Sequence, residues 1–84
     1  MSIFKNIINN KINKISGAEL LSYAKQFDVG ISMEEAEKIA RILRGKKYDI
    51  FDDGTRAKVL KQIEQITGPE KTREINKIFS ELTK

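Results

Sequence analysis

The sequence lacks the two side chains that most often bind metals or form covalent cross-links, because it contains neither cysteine nor histidine. Disulfides are therefore excluded, and so are thiolate and imidazole metal ligands. A general base would have to be a carboxylate or a lysine. The absence of cysteine also agrees with a reducing compartment, so we expect a cytoplasmic protein.

Long apolar runs are missing as well, since no uninterrupted apolar stretch is longer than three residues. The opening residues do not form the apolar stretch of a secretory signal, and no segment is apolar enough to span a membrane. We therefore expect no membrane partner.

The composition is that of a folded protein of modest size. The 84 residues are 39% apolar and 33% charged, which is typical of a globular chain and predicts a single domain over residues 1–84. The net charge of +4 is mildly basic. It permits a nucleic acid as partner without requiring one.

Helix-start signals recur along the chain. A capping box pairs a Ser or Thr with a Glu three residues later, so that each side chain serves a free backbone N–H group of the first turn. Three such patterns precede apolar residues at helical spacing, which favours several short helices. They are Ser16-x-x-Glu19, Ser32-x-x-Glu35 and Thr67-x-x-Glu70.

The fold class that follows is all-α, a compact bundle of about five short helices with a short extended connector at residues 46–53. Gly45 is expected to end the third helix in the left-handed conformation, and Asp52 or Asp53 to cap the fourth. Pro69 suits the first turn of the fifth helix. The helices are predicted at about 2–14, 17–27, 33–44, 54–66 and 69–82.

Each predicted helix has an apolar stripe that we expect to form the core. The first helix also fits a membrane-surface helix, with Lys5, Lys11 and Lys14 near the stripe, but its other face is neutral asparagine, so we favour core packing. The expected inward residues are Ile3, Phe4, Ile7, Ile8, Ile12, Leu20, Leu21, Ala24, Phe27, Ala36, Ile39, Ala40, Leu43, Ala57, Val59, Leu60, Ile63, Ile66, Thr72, Ile75, Ile78, Phe79 and Leu82.

The residue patterns of common catalytic sites are absent from the sequence. Gly45-Lys46 lacks the upstream glycine and the following Ser or Thr of a phosphate-binding loop. The acidic residues after Tyr48 resemble a calcium loop, but Phe51 and Leu60 occupy positions that need oxygen ligands. We therefore expect no catalytic residue, no metal and no cofactor, and the chain is not expected to be an enzyme.

Basic residues form the main candidate for an anion-binding surface. Arg41 and Arg44 fall at the end of the third helix, where cations also stabilise the helix dipole. The middle of the sequence is acidic, which weakens a nucleic-acid function, so we keep it as the alternative. The residues for that alternative are Arg41, Arg44, Lys46, Lys47, Arg56, Lys58 and Lys61.

The connector carries an unusual number of large apolar side chains. Because adjacent residues of an extended segment point to opposite sides, we expect Ile50 or Phe51 to be buried. Tyr48 is then expected to be largely exposed beside Arg44 and Lys47. An aromatic ring next to basic groups is typical of interface hot spots. The main functional hypothesis is therefore a non-catalytic protein-protein interaction module that binds another protein through Tyr48, Arg44 and Lys47.

Several segments together resemble one known family across nearly the full length. They are Asn6-Ile7-Ile8-Asn9-Asn10-Lys11-Ile12, Glu19-Leu20-Leu21-Ser22-Tyr23-Ala24, Ile42-Leu43-Arg44-Gly45-Lys46, Asp49-Ile50-Phe51 and Ile78-Phe79. The sequence resembles the YqfT-like family of small uncharacterised proteins from Bacillus-type bacteria. The resemblance implies a bacterial cytosolic protein. The family has no assigned activity, so the resemblance assigns no functional residue.

Overall fold

A computed structural model describes residues 3–45 and 47–83 of the chain. Within these residues there are five helices and no strand, which confirms the all-α prediction. The third and fifth helices begin and end at the residues that the sequence predicted, and the second begins at its predicted residue, whereas the remaining boundaries within the described residues differ by one position. The helices are α1 (Ile3–Asn13), α2 (Gly17–Gln26), α3 (Met33–Arg44), α4 (Asp53–Thr67) and α5 (Pro69–Leu82).

Two of the three predicted capping boxes are present. Ser16 caps α2 together with Glu19, and Ser32 caps α3 together with Glu35. The prediction of a third box at Thr67 and Glu70 is wrong, because Thr67 is the last residue of α4 and its hydroxyl donates to the carbonyl of Ile63. Only Gly68 separates α4 from α5, so no residue is available for a side-chain cap. The cap of α4 is Asp52, one of the two predicted residues.

Left-handed backbone occurs at Asp28 and Gly68, with φ of 60° and 84°. After α2, the N–H of Val29 donates to the carbonyl of Ala24, and the N–H of Asp28 donates to that of Lys25. This is the Schellman pattern of helix termination, with an aspartate where glycine is usual. The prediction for Gly45 is wrong, since its φ of −70° and ψ of −23° continue the right-handed turn of α3.

Helix α3 is the centre of the bundle. It packs against α1, α2 and α4, and α5 closes the bundle against α4 and α2. The inward stripe predicted for α3 is confirmed, whereas Ala57 of α4 is exposed, contrary to expectation. Each helix contributes to one core, whose buried apolar residues are Ile12, Ile15, Leu20, Ala24, Val29, Ala36, Ile39, Ala40, Leu43, Ile50, Val59, Ile63, Ile75, Ile78 and Phe79.

The first half of α1 departs from the predicted core. Ile3, Phe4 and Ile7 are 77%, 53% and 58% exposed, so the prediction that they pack inward is wrong. The cause is that the apolar residues of α1 extend around more of the helix than the bundle covers. At about 100° per residue, Ile3 lies on the side of the helix opposite to Ile12, and the bundle covers only the side of Ile12. We call Ile3, Phe4 and Ile7 the apolar row.

Candidate functional site: a groove between α1 and the connector

Two asparagines of α1 fix the position of the connector. The Nδ2 of Asn13 donates to the carbonyl of Tyr48, and the N–H of Tyr48 donates to the Oδ1 of Asn13, both at 3.0 Å. One turn earlier, the Oδ1 of Asn9 accepts from the N–H of Ile50 at 3.1 Å, and its Nδ2 donates to Asp49 at 2.9 Å. Residues 48–50 therefore run antiparallel to α1, held by side-chain amides.

Ile50 is the buried anchor of this connector. Its side chain is fully enclosed in the core, so of the two residues predicted as buried it is Ile50 that is buried, whereas Phe51 is only partly buried. The carboxylate of Asp49 accepts from the N–H of Phe51 at 3.0 Å. This local bond turns the chain toward Asp52, whose carboxylate caps α4.

An open groove of about 790 Å³ lies between α1 and the connector. It contains the three side chains of the predicted protein-binding site, so the fold brings that set together. Among the described residues that line it there are three cations and one carboxylate. The residues that line it are Asn6, Asn9, Asn10, Asn13, Lys14, Arg44, Gly45, Lys47, Tyr48 and Asp49.

Tyr48 is less exposed than the sequence predicted. Its ring packs against the core and is partly buried, and its hydroxyl accepts a long hydrogen bond from Gln62 Nε2 at 3.4 Å. The expectation of a largely exposed ring is therefore wrong. The backbone bonds to Asn13 draw residue 48 onto the bundle, so that the ring forms a wall of the groove and does not stand free in solvent.

The basic residues proposed for nucleic-acid contact are divided among different surroundings. Arg41 and Arg44 are exposed on α3, and Lys58 and Lys61 are exposed on α4. Arg56 is partly buried, with its guanidinium 3.6 Å from Asp53 and in a 3.4 Å hydrogen bond with Thr83. Only Arg44 and Lys47 of this set line the groove, and Lys46 lies outside the described residues.

The apolar row continues the face of α1 that borders the groove. Ile3 and Ile7 are one turn apart, and Asn10 follows Ile7 by three residues, so these side chains are neighbours on the helix surface. Asn10 in turn lines the groove. An apolar surface and a basic, amide-rich groove thus meet along one edge of α1.

Two carboxylates with lowered pKa values, Glu35 and Asp52, act as helix caps. The N–H of Ser32 lowers the pKa of Glu35, which also pairs with Lys71 at 3.1 Å. The N–H and hydroxyl of Thr55 likewise lower the pKa of Asp52. Both shifts follow from local hydrogen bonds to a carboxylate, and neither carboxylate lines the groove.

Residues 3–45 and 47–83 contain neither a metal-binding cluster nor a membrane-spanning helix. No group of three or more Asp or Glu side chains in this part of the chain is arranged to hold a metal ion. Among the same residues, no helix has the length and apolar character needed to cross a bilayer.

The role of the asparagines of α1 was not predicted from the sequence. The sequence pattern places them on the face opposite the apolar stripe, and in the structure Asn9 and Asn13 of that face bind the connector and are partly buried. Their i, i+4 spacing was the available signal, because it places two amides in a row along one face.

Comparisons with known proteins agree with the resemblance seen in the sequence. The uncharacterized protein YqfT of Bacillus subtilis (strain 168) is 34% identical over 83 residues, which is 99% of this chain and 99% of that protein. No solved structure matches the chain. A family described as a protein of unknown function (DUF2624) matches residues 1–83. The chain therefore belongs to the DUF2624 family.

Proposed function

We propose that this protein is a non-catalytic module of the bacterial cytoplasm that binds another protein through the apolar row and the adjoining groove. The observation that carries the proposal is the exposure of Ile3, Phe4 and Ile7, each more than half accessible on a helix whose later residue Ile12 is buried in the core. Contiguous exposed apolar side chains commonly mark interaction surfaces.

The groove adds the polar part of such a surface. Tyr48 and Arg44 belong to the residue types enriched at interface hot spots, and here they line one concave surface beside the apolar row. The hydrogen bonds between α1 and the connector hold this surface in place before a partner arrives, which lowers the entropic cost of binding.

The test is quantitative capture from extracts of the native cell, after cross-linking in the cell, with the wild type compared with an Ile3→Glu/Ile7→Glu variant. We expect the variant to capture at least about tenfold less of each specific partner than the wild type does. The reason is that binding would bury two glutamate charges in an apolar contact, where they lose water without gaining a partner. Glutamate in the first turns of a helix is compatible with its dipole, so α1 should persist. Circular dichroism checks that it does.

Met33→Glu is the matched control, since Met33 is the other large apolar side chain that is clearly exposed among the described residues. It lies at the start of α3, whereas the groove lies at the end of α3, about 16 Å away along the axis. This variant should capture like the wild type. A wild type that captures nothing more than the double variant contradicts the proposal.

Nucleic acid is the competing partner, and the same experiment separates it. Captured proteins should survive nuclease treatment if the contact is direct. Capture that disappears with nuclease, together with retention on DNA or RNA that falls steeply with salt, would instead support the nucleic-acid alternative, whose exposed basic residues are Arg41, Arg44, Lys47, Lys58 and Lys61.

A further inference from the structure

The way α1 holds the connector indicates what a second chain in the groove would look like. Asn9 and Asn13 are four residues apart, a rise of about 6 Å along a helix. The backbone groups that they bind belong to Ile50 and Tyr48, which are two residues apart, or about 6.7 Å in an extended chain. The distance between every fourth residue of a helix and the distance between every second residue of an extended chain are nearly equal. A row of asparagines on a helix can therefore bind an extended backbone.

The same spacing occurs again on the open side of α1. Asn6 and Asn10 are also four residues apart, and both line the groove. An asparagine amide has two N–H donors and an oxygen with two lone pairs, so it can bind a second backbone in addition to any bond already made. The groove thus offers the arrangement that Asn9 and Asn13 already use.

The charge of the groove selects the side chains of the occupant. The described lining has three cationic side chains, Lys14, Arg44 and Lys47, and one carboxylate, Asp49. That carboxylate already accepts hydrogen bonds from Asn9 and from the N–H of Phe51. The last carbonyl groups of α3 contribute about half a negative charge. The lining therefore remains positive, and acidic side chains complement it.

We propose that the groove binds an extended, acidic segment of a partner protein, whose backbone lies along Asn6 and Asn10 and whose carboxylates meet Arg44 and Lys47. The eleven residues of α1 rise about 16 Å, which corresponds to about five extended residues. This inference rests on the proposed function, because it specifies the chemistry of the protein that is bound.

The test uses synthetic peptides of about eight residues, long enough to span α1, in which Asp or Glu alternates with Val or Thr. Matched peptides carry Gln or Lys in place of the acidic residues. Binding is followed by fluorescence anisotropy and by amide chemical shifts of the isotope-labelled protein. We expect the acidic peptide alone to bind, to shift Asn6, Asn10 and Arg44, and to weaken as salt rises.

Variants identify the groups responsible. Lys47→Glu should weaken the acidic peptide at least about tenfold by charge reversal, whereas Lys25→Glu, an exposed lysine of α2 away from the groove, should change the affinity less than about twofold. Asn10→Ala should weaken it about threefold to tenfold through loss of hydrogen bonds. Alanine favours helix, so this loss would not reflect unfolding of α1.

Three outcomes would overturn the inference: equal binding of the acidic and Gln peptides, equal effects of Lys47→Glu and Lys25→Glu, or displacement of the acidic peptide by oligothymidylate at similar concentration. The last outcome would make the groove a general anion site. If the peptides fail while capture still depends on Ile3 and Ile7, the protein-binding function stands and only the acidic, extended chemistry is wrong.

Discussion

Asn13 and Tyr48 are 35 positions apart in sequence, yet the side-chain amide of Asn13 satisfies both backbone polar groups of Tyr48 at 3.0 Å. The pairing resembles one rung of a β-ladder in which a side chain replaces the second strand. Because backbone groups withdrawn from water need partners, this ring of two hydrogen bonds lets the connector lie against α1 without a strand beside it. The wall of the groove depends on it.

Replacement of this amide should be costly. In Asn13→Asp the Nδ2 donor is lost, and a carboxylate oxygen faces the carbonyl of Tyr48. We expect the free energy of unfolding to fall by about 1–3 kcal/mol in urea denaturation. Asn10→Asp makes the same chemical change at an exposed position and should alter stability by less than about 0.5 kcal/mol. Similar losses for both variants would show that the Asn13 bonds contribute little.

Alanine substitution of two leucines should show that a fully buried side chain contributes more to stability than a partly buried one. Leu43 is completely enclosed on α3, whereas Leu60 on α4 packs against the core but is partly exposed. Leu43→Ala should therefore lower the free energy of unfolding by about 2–5 kcal/mol, a large part of the stability of so small a domain. Leu60→Ala should cost about half as much or less, because less apolar area leaves contact with protein. Chemical denaturation that ranks Leu60→Ala as the more damaging change would contradict this burial order.

Most of the helical framework could be predicted because it depends on local signals. Serine caps, Pro69 and the tight stripe of α3 act within a few residues, and each of them holds in the structure. Termination was less predictable. The left-handed position after α2 is occupied by Asp28, although Gly30 lies nearby, and backbone conformation there depends on how the chain leaves the helix.

The candidate site was only partly predictable, since it depends on which side of α1 is covered. Helical periodicity predicts the direction in which each side chain of α1 points, but it does not predict which segment packs there. In the structure the connector lies over Asn9 and Asn13, and Ile3 and Ile7 are on the uncovered side. Arg44, Lys47 and Tyr48 were identified because they are close in sequence. The role of the asparagines required long-range contacts that residue spacing does not determine.

The two left-handed residues should respond in opposite directions to substitution. Gly68 has φ of 84° and ψ of 168°, a region open almost only to glycine, so Gly68→Ala should destabilise the protein by about 1–3 kcal/mol even though no atom blocks the added methyl group. Asp28→Gly removes an unfavourable side chain at φ of 60° and should stabilise by up to about 1 kcal/mol. Thermal melts that move in the same direction for both variants would contradict this assignment.

Acid should weaken the bundle through its helix caps. The backbone N–H of Ser32 lowers the pKa of Glu35, and the N–H of Thr55 lowers the pKa of Asp52, so the folded state holds each carboxylate more strongly in its charged form than the unfolded chain does. Such groups stabilise the fold above the ordinary carboxyl pKa, near pH 4, and lose that contribution as pH falls through the lowered pKa. We therefore expect the free energy of unfolding to decrease below about pH 4.

The variant Glu35→Gln/Asp52→Asn tests this origin, because glutamine and asparagine keep oxygen acceptors at the caps but do not titrate in this range. Denaturant titrations at successive pH values should show a shallower loss of stability in acid for the double variant than for the wild type. Glu34→Gln, at an exposed carboxylate in the first turn of α3 that forms only a surface pair with Lys38, should leave the wild-type acid dependence nearly unchanged. If the double variant follows the wild-type curve, other carboxylates determine the acid sensitivity.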